Sequence, residues 1–146
     1  MPEANLQAPP DLSHEIEVAP PFFDIDSMDI VWHGHYVKYL ELARCALLDK
    51  FGYGYTQMRE SGYGWPIVDL RLKYSRPALF NQKLVVRAEI VEWENRLKMN
   101  YVIRDALSGA RINTAMSIQV AVDLSTREMQ YVCPRVLWER LGVSPC

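Results

Sequence analysis

Phe23-Asp24-Ile25-Asp26-Ser27-Met28-Asp29-Ile30-Val31-Trp32-His33-Gly34-His35-Tyr36 is the stretch whose reading decides the fold of this chain. Three acids crowd its first half. From its last residue onward Tyr36, Leu40, Ala43, Leu47 and Phe51 recur at steps of three or four, the stripe of a helix from about Gly34 to Lys50. Gly52 stands where such a helix ends. Lys38, Glu41, Arg44 and Asp49 occupy the other face, while Val37, Cys45 and Leu48 widen the apolar surface, so the helix is expected to lie against a sheet.

Upstream, Ile16 and Val18 alternate with glutamates, which predicts a first strand within Glu15 to Phe23, punctuated by Pro20 and Pro21. Residues 1–14 contain three prolines and few large apolar groups and read as an irregular arm, leaving residues 15–146 as one domain. Downstream, Phe51 to Trp65 is a connector rich in glycine and tyrosine with a short helix near Tyr55 to Glu60. The period then falls to two. Val68, Leu70, Leu72 and Tyr74 form one alternating set; Leu84, Val86, Ala88 and Ile90 a second; Leu97, Met99, Tyr101 and Ile103 a third. The fourth, Ile112 to Val122, is long enough, at roughly 40 Å, that the sheet should curve. Glu94-Asn95 and Ser108-Gly109 supply hairpin turns, so the sheet is expected to be largely antiparallel there. Pro134 and Gly142 bracket a short terminal helix. The order of strand, long helix and further strands gives an α+β architecture with one sheet around one helix.

Composition narrows the function classes. The 146 residues are 49% hydrophobic and 23% charged with a net charge of −2, which suits a single globular domain and offers no general attraction to nucleic acid or anionic membranes. No apolar run reaches the length of a membrane span, and the first ten residues lack the pattern of a signal peptide. Cys45, Cys133 and Cys146 form neither a disulfide framework nor a zinc spacing, so a cytoplasmic location is expected. His33 and His35 are two residues apart, a spacing that does not put both on one helical face, and no metal is expected. Taken singly, Asp24, Asp26 and Asp29 read as acids favoured ahead of a helix N-terminus, and Trp32, Tyr36, Trp65 and Tyr74 as core aromatics.

Taken together, the opening stretch resembles the F-x-D-x-D-x-x-x-V-V-x-x-x-x-Y pattern of the 4-hydroxybenzoyl-CoA thioesterase-like family, which includes thioesterases of the Tol-Pal type. A second segment, Leu70-Arg71-Leu72-Lys73-Tyr74-Ser75-Arg76-Pro77-Ala78, resembles that family's strand leading into an R-P-A or A-P-A turn. The resemblance implies a hotdog fold, a curved antiparallel sheet wrapped around one long central helix. It also implies a homodimer joined edge to edge with sites at the interface, or a dimer of dimers, the homotetramer. Its catalytic carboxylate falls on Asp26, with Asp24 as the neighbouring decoy. Its backbone N–H that polarises the thioester carbonyl falls on His33. Val31, Trp32, Gly34 and Tyr36 are the expected substrate contacts. The chain departs from the pattern at Met28-Asp29, where many relatives have Ala-Gly or Gly-Gly; Asp29 either faces solvent or narrows the acyl pocket.

Thioester hydrolysis needs an attacking oxygen and a group that holds the charge developing on the carbonyl oxygen. An ionised Asp26 either attacks directly or takes a proton from water, and the unpaired N–H groups at the helix start, Val31 to Gly34, supply the second need. Phosphates of CoA call for cations. Arg71, Lys73 and Arg76 form one candidate group and Arg87, Arg96 and Lys98 another, with Arg96 and Lys98 preferred beside their hairpin. The expected function is therefore an acyl-CoA thioesterase acting on a fatty or aromatic acyl-CoA with no separate cofactor, since CoA is part of the substrate. The alternatives are hydrolysis of acyl groups from acyl carrier protein and a non-catalytic acyl-thioester-binding role; a hotdog dehydratase fits less well, because its resemblance is to a helix-borne histidine.

Overall fold

A computed structural model describes residues 9–145. Its main sheet holds five strands, β1 (Ser13–Val18), β3 (Ile67–Tyr74), β4 (Leu84–Glu92), β5 (Leu97–Asp105) and β6 (Arg111–Gln119), in the spatial order β1-β4-β5-β6-β3 with every pairing antiparallel. The helix α1 (Tyr36–Lys50) packs on this sheet over β1 and β4. This is the α+β hotdog arrangement. A second helix, α2 (Tyr55–Glu60), a two-stranded ribbon of β2 (Tyr63–Gly64) and β7 (Val122–Asp123), and α3 (Arg135–Leu141) complete the chain. None of the helices is long and apolar enough to cross a membrane among the described residues.

The helix buries Tyr36, Tyr39, Leu40, Ala43, Leu47 and Leu48 against the inward residues of β4 and β5, Leu84, Val86, Ala88 and Ile90 with Leu97, Met99, Tyr101 and Ile103. It begins two residues later than the periodicity predicts, because His33–His35 form a 3-10 turn with Trp32 as its cap. Its end follows the expected chemistry of glycine. Gly52 sits at φ 68°, donating to the Asp49 carbonyl while the Tyr53 N–H returns to that of Leu48, so two orphan carbonyls are satisfied and Leu48 and Tyr53 are buried together.

Three features of the strands differ from the sequence reading. The first strand starts at Ser13 and stops at Val18, before the two prolines that deprive it of amide donors; the last two residues of the expected arm thus belong to the sheet, and residues 1–8 lie outside the described residues. The long fourth set breaks after Gln119. The chain there leaves β3 and β5 to pair Val122 and Asp123 with β2. The third difference concerns which side of β6 faces the helix. Asn113, Ala115, Ser117 and Gln119 stand opposite the inward Ile103, Tyr101, Met99 and Leu97, so β6 turns a polar row to the interior, while Thr114, Met116 and Ile118 share the outer face with Val102, Asn100 and Lys98. A register shift between Ile103 and Arg104 returns Ile112 to the core.

Candidate active site

The acidic stretch folds as a miniature hairpin. Ile25 bridges Val31, the Asp26 N–H donates to the Ile30 carbonyl at 2.8 Å, and the Asp29 N–H donates to the Asp26 carbonyl at 3.0 Å. Such a three-residue loop, Ser27 to Asp29, needs its last position in the left-handed region. Asp29 occupies it at φ 63°. A glycine would meet the same conformational need, which Asp29 meets here; Met28, and not Asp29, lines the adjoining cavity.

The hairpin is held to the rest of the protein through Ala78, the last residue of the second quoted segment. The Val31 N–H donates to the Ala78 carbonyl and the Ala78 N–H donates to the Tyr36 hydroxyl, each at 2.9 Å. The two segments singled out in the sequence therefore meet at one buried residue. Tyr36 is buried, and burial raises its phenol above the ordinary value, although the Ala78 hydrogen bond works in the other direction.

Asp24 and Asp26 have opposite surroundings. Asp24 is 1% exposed and accepts hydrogen bonds from the Lys38 ammonium and the Tyr39 hydroxyl, both at 2.6 Å, with His35 Nδ1 at 3.8 Å. Burial alone would raise its carboxyl, yet the hydrogen bonds from Lys38 and Tyr39 outweigh burial and hold it below the usual carboxylate value. Asp26 is half-buried and engages only the Met28 N–H, through Oδ1 at 2.8 Å; its other oxygen accepts nothing from the described residues.

That free carboxylate faces a cavity of about 370 Å3 shared with Val31, His33, Tyr36, Tyr74 and Arg76. The helix start contributes donors. Among the described residues, the N–H groups of His33 and Gly34 make no backbone hydrogen bond, as expected at the first turn. The carbonyl of the peptide between them accepts from the Tyr74 hydroxyl at 2.7 Å. Because C=O and N–H point oppositely across a trans peptide, that bond fixes the direction of the Gly34 N–H. A carboxylate with a free oxygen and an unpaired amide donor on one cavity lining are the parts that acyl hydrolysis requires.

Not every expected residue joins this cavity. Val31, His33 and Tyr36 do. The Trp32 ring instead packs beside the imidazoles of His33 and His35, with centroids at 4.9 and 5.2 Å, and covers Gly34, where an added Cβ would collide with the indole. Arg96 pairs with both carboxylate oxygens of Glu92 and lines a different cavity at the β4–β5 hairpin, and Lys98 stands opposite Glu92 in register. Arg76, from the alternative basic group, lines the Asp26 cavity and has no ion pair among the described residues. Tyr74 is the contribution that sequence reasoning missed. Its contact spans 41 residues, and the only signal was its place in the second family segment.

Comparison with known proteins gives a consistent result. A family model described as the thioesterase-like superfamily matches residues 20–139. A Bacillus subtilis (strain 168) protein with the provisional description acyl-CoA thioesterase YneP is 33% identical over 79 residues, 54% of this chain and 56% of that protein; the match thus spans little more than half of that relative. A Synechocystis protein provisionally described as esterase sll0410 is 28% identical over 140 residues, 95% of this chain and 84% of the other. Among solved structures, Slr0204 from Synechocystis, a 1,4-dihydroxy-2-naphthoyl-CoA thioesterase, superposes with a TM-score of 0.80 at 18% identity over 89% of this chain and 96% of that one, a likeness of fold.

Proposed function

Given that this chain belongs to the thioesterase-like superfamily, we propose that it is an acyl-CoA thioesterase that cleaves a fatty or aromatic acyl-CoA to the free acid and CoA. The observation that carries the reading is that Asp26, with one carboxylate oxygen free, and His33, with its N–H unpaired, line one cavity, the unpaired N–H of Gly34 being next in the chain. The thioester carbonyl oxygen accepts from those donors, which also stabilise it as it gains charge. Asp26 either attacks the carbonyl carbon, expelling the CoA thiolate and leaving a mixed anhydride that water cleaves, or removes a proton from the attacking water. The motif surrounding Asp26 supports the finer assignment to the 4-hydroxybenzoyl-CoA thioesterase-like, Tol-Pal-type branch.

Assembly belongs to the same proposal. The outer edge of β3 pairs with no strand of the described chain, and Val68, Leu70 and Tyr74 on it are exposed. A homodimer formed along that edge, or a dimer of dimers, covers its free donors and acceptors.

The test is thiol release from a panel of acyl-CoA esters, followed with a thiol-reactive dye. The wild-type protein should release CoA from at least one ester, and Asp26→Asn should be slower by about 100-fold or more. A variant as fast as wild type removes Asp26 from the chemistry; no turnover of any acyl-CoA, with turnover of acyl-carrier-protein thioesters, transfers the reading to that substrate.

A further inference from the structure

The free edge of β3 carries a charge pattern that is complementary to itself. The Ser75 N–H donates to the Ile112 carbonyl at 3.0 Å, and in the same register Lys73, Arg71 and Asp69 stand opposite Thr114, Met116 and Ile118. Along an antiparallel seam, residues that bond across it alternate with residues that do not, so the main-chain groups of Leu70 and Leu72 point away from β6, to the open edge. Their side chains lie on the inner face with Ser117 and Ala115, whereas Asp69, Arg71 and Lys73 lie on the outer face.

A second copy of β3 added antiparallel about a two-fold axis must bring like face to like face and bonding residue to bonding residue. Both conditions hold only where a residue on the axis stands opposite itself, which leaves axes at Asp69, Leu70, Arg71 or Leu72. Charge separates the four. An axis at Asp69 opposes two carboxylates, one at Arg71 opposes two guanidiniums, and one at Leu72 sets Arg71 against the partner's Lys73. The axis at Leu70 sets Asp69 against the partner's Arg71, twice, and opposite charges stabilise such pairs where like charges destabilise them. Arg71 is 74% exposed and meets Asp69 of its own chain at 3.3 Å, so the partner completes a ring of four alternating charges. On the inner face the exposed Leu70 meets the partner's Leu70.

This register also reaches the Asp26 cavity. Tyr74, which lines that cavity and accepts its place from the His33 carbonyl, lies about 13 Å along the strand from Leu70. The axis carries the partner's chain as far the other way, which brings the partner's Trp65 and the partner's Pro66 alongside Tyr74. We propose that a second copy of this chain docks on β3 with Leu70 on the two-fold axis and Asp69 paired to the partner's Arg71, and that the stretch ahead of the partner's Ile67 walls the Asp26 cavity beside Tyr74. The inference rests on the homodimer of the proposed function and adds its register.

The experiment uses the intact protein with Cys45→Ser and Cys146→Ser, which leaves only the buried Cys133. Sedimentation velocity should show a dimer. Asp69→Cys, Leu70→Cys, Arg71→Cys and Leu72→Cys are then made singly and equilibrated in a glutathione redox buffer. A residue on the axis meets itself at a Cα separation of about 5.5 Å, within disulfide reach, whereas one step off the axis the separation is about 7–8 Å, beyond it. Leu70→Cys alone should therefore give a disulfide-linked dimer. Asp69→Arg and Arg71→Asp should each weaken the dimer about tenfold, and the two variants co-expressed should regain the lost affinity as a heterodimer. Pro66→Cys and Tyr74→Cys chains, co-expressed, should be joined by bismaleimidoethane, and neither should be joined alone. A monomer overturns the dimer and its register together. A dimer linked through Asp69→Cys, Arg71→Cys or Leu72→Cys, or through none of the four, keeps the dimer and overturns the register, as does a mixture that regains no affinity. Linkage at Leu70→Cys without linkage of Pro66→Cys to Tyr74→Cys overturns the partner's place at the cavity. Thiol release decides the thioesterase reading separately.

Discussion

Tyr39 donates its hydroxyl to Asp24 Oδ2 at 2.6 Å, across 15 residues of sequence, and so ties the acidic hairpin to the buried face of α1. Lys38 takes the other oxygen of the same carboxylate. Asp26, two residues on, is left with one oxygen unbonded among the described residues. Similar side chains at adjacent motif positions thus divide into a bonded anchor and a carboxylate with a free oxygen, and the division is measurable. Asp24→Asn should cost about 2 kcal/mol in urea unfolding, since it breaks a buried pair whose Lys38 end can rehydrate. Asp26→Asn should stay within about 0.5 kcal/mol of wild type. Equal losses at both positions would contradict the division.

Acid should weaken the fold through the same carboxylate. The Asp24 carboxyl is held below its ordinary value in the folded state, because the hydrogen bonds from Lys38 and Tyr39 exceed the opposing effect of burial. Its contribution is therefore present above about pH 4, the unfolded value, and is lost as pH falls through the lower folded value. Asp105, at the β5–β6 turn, is drawn down to about 2 by the Gln82 amide and the Ser108 N–H and acts in the same sense. Melting temperatures measured from pH 5 to pH 2 should fall for wild type, and the fall should be shallower for Asp24→Asn and for Asp105→Asn.

Tyr74→Phe removes the hydrogen bond that orients the His33–Gly34 peptide while keeping the ring that packs edge-on to Tyr36 at 5.2 Å. The expected result is a fall in kcat of about tenfold with KM near wild type, as for loss of a group that aims a transition-state donor, and a stability change under about 1 kcal/mol. An unchanged kcat would mean that this peptide does not face the reacting carbonyl.

The strained position at Asp29 separates backbone from side-chain effects. Asp29→Gly exchanges the left-handed penalty for glycine's greater unfolded-state freedom, two opposing changes of about 1 kcal/mol, so stability and substrate preference should both stay close to wild type. Asp29→Val, with a branched side chain at φ 63°, should lose about 1–2 kcal/mol in thermal unfolding. A shift in acyl preference with Asp29→Gly would return the side chain to the pocket.

Arg76 and Arg96 are rival candidates for the CoA phosphates, and truncation of the substrate tells them apart. Arg76→Ala should raise KM for acyl-CoA by about tenfold and leave the matching N-acetylcysteamine thioester, which has no phosphates, unaffected. Arg96→Ala should change KM less, since that guanidinium is already engaged by Glu92. The reverse ranking would restore the hairpin pair Arg96 and Lys98 as the anion site.

Periodicity locates the long helix and the strands of the main sheet, but not the β2–β7 ribbon. The apolar steps from Tyr36 led to α1, and Tyr55 to Glu60 is α2 to the residue, because helices and hairpins are written in neighbouring positions. What periodicity does not carry is the choice between two alternating faces. In β6 the apolar set of Met116 and Ile118 points outward and the polar set of Ser117 and Gln119 inward, and only the pairing with Met99 and Leu97 decides this. The site divides in the same way. Asp26, Val31, His33 and Tyr36 lie close in sequence and were legible as a motif, whereas the Tyr74–His33 and Arg96–Glu92 contacts depend on how distant or already occupied partners meet in space.

The joint at Ala78 bears on how this protein can change. The acidic hairpin is located by main-chain groups of Asp26, Ile30 and Val31 and by one tyrosine hydroxyl acting on Ala78. Ser27, Met28 and Asp29 take little part in that scaffold through their side chains. Ser27 and Met28 are accordingly free to drift, whereas Asp29 is held to residues that tolerate φ 63°, and the cavity wall can change at Met28 while the Asp26 carboxylate keeps its place.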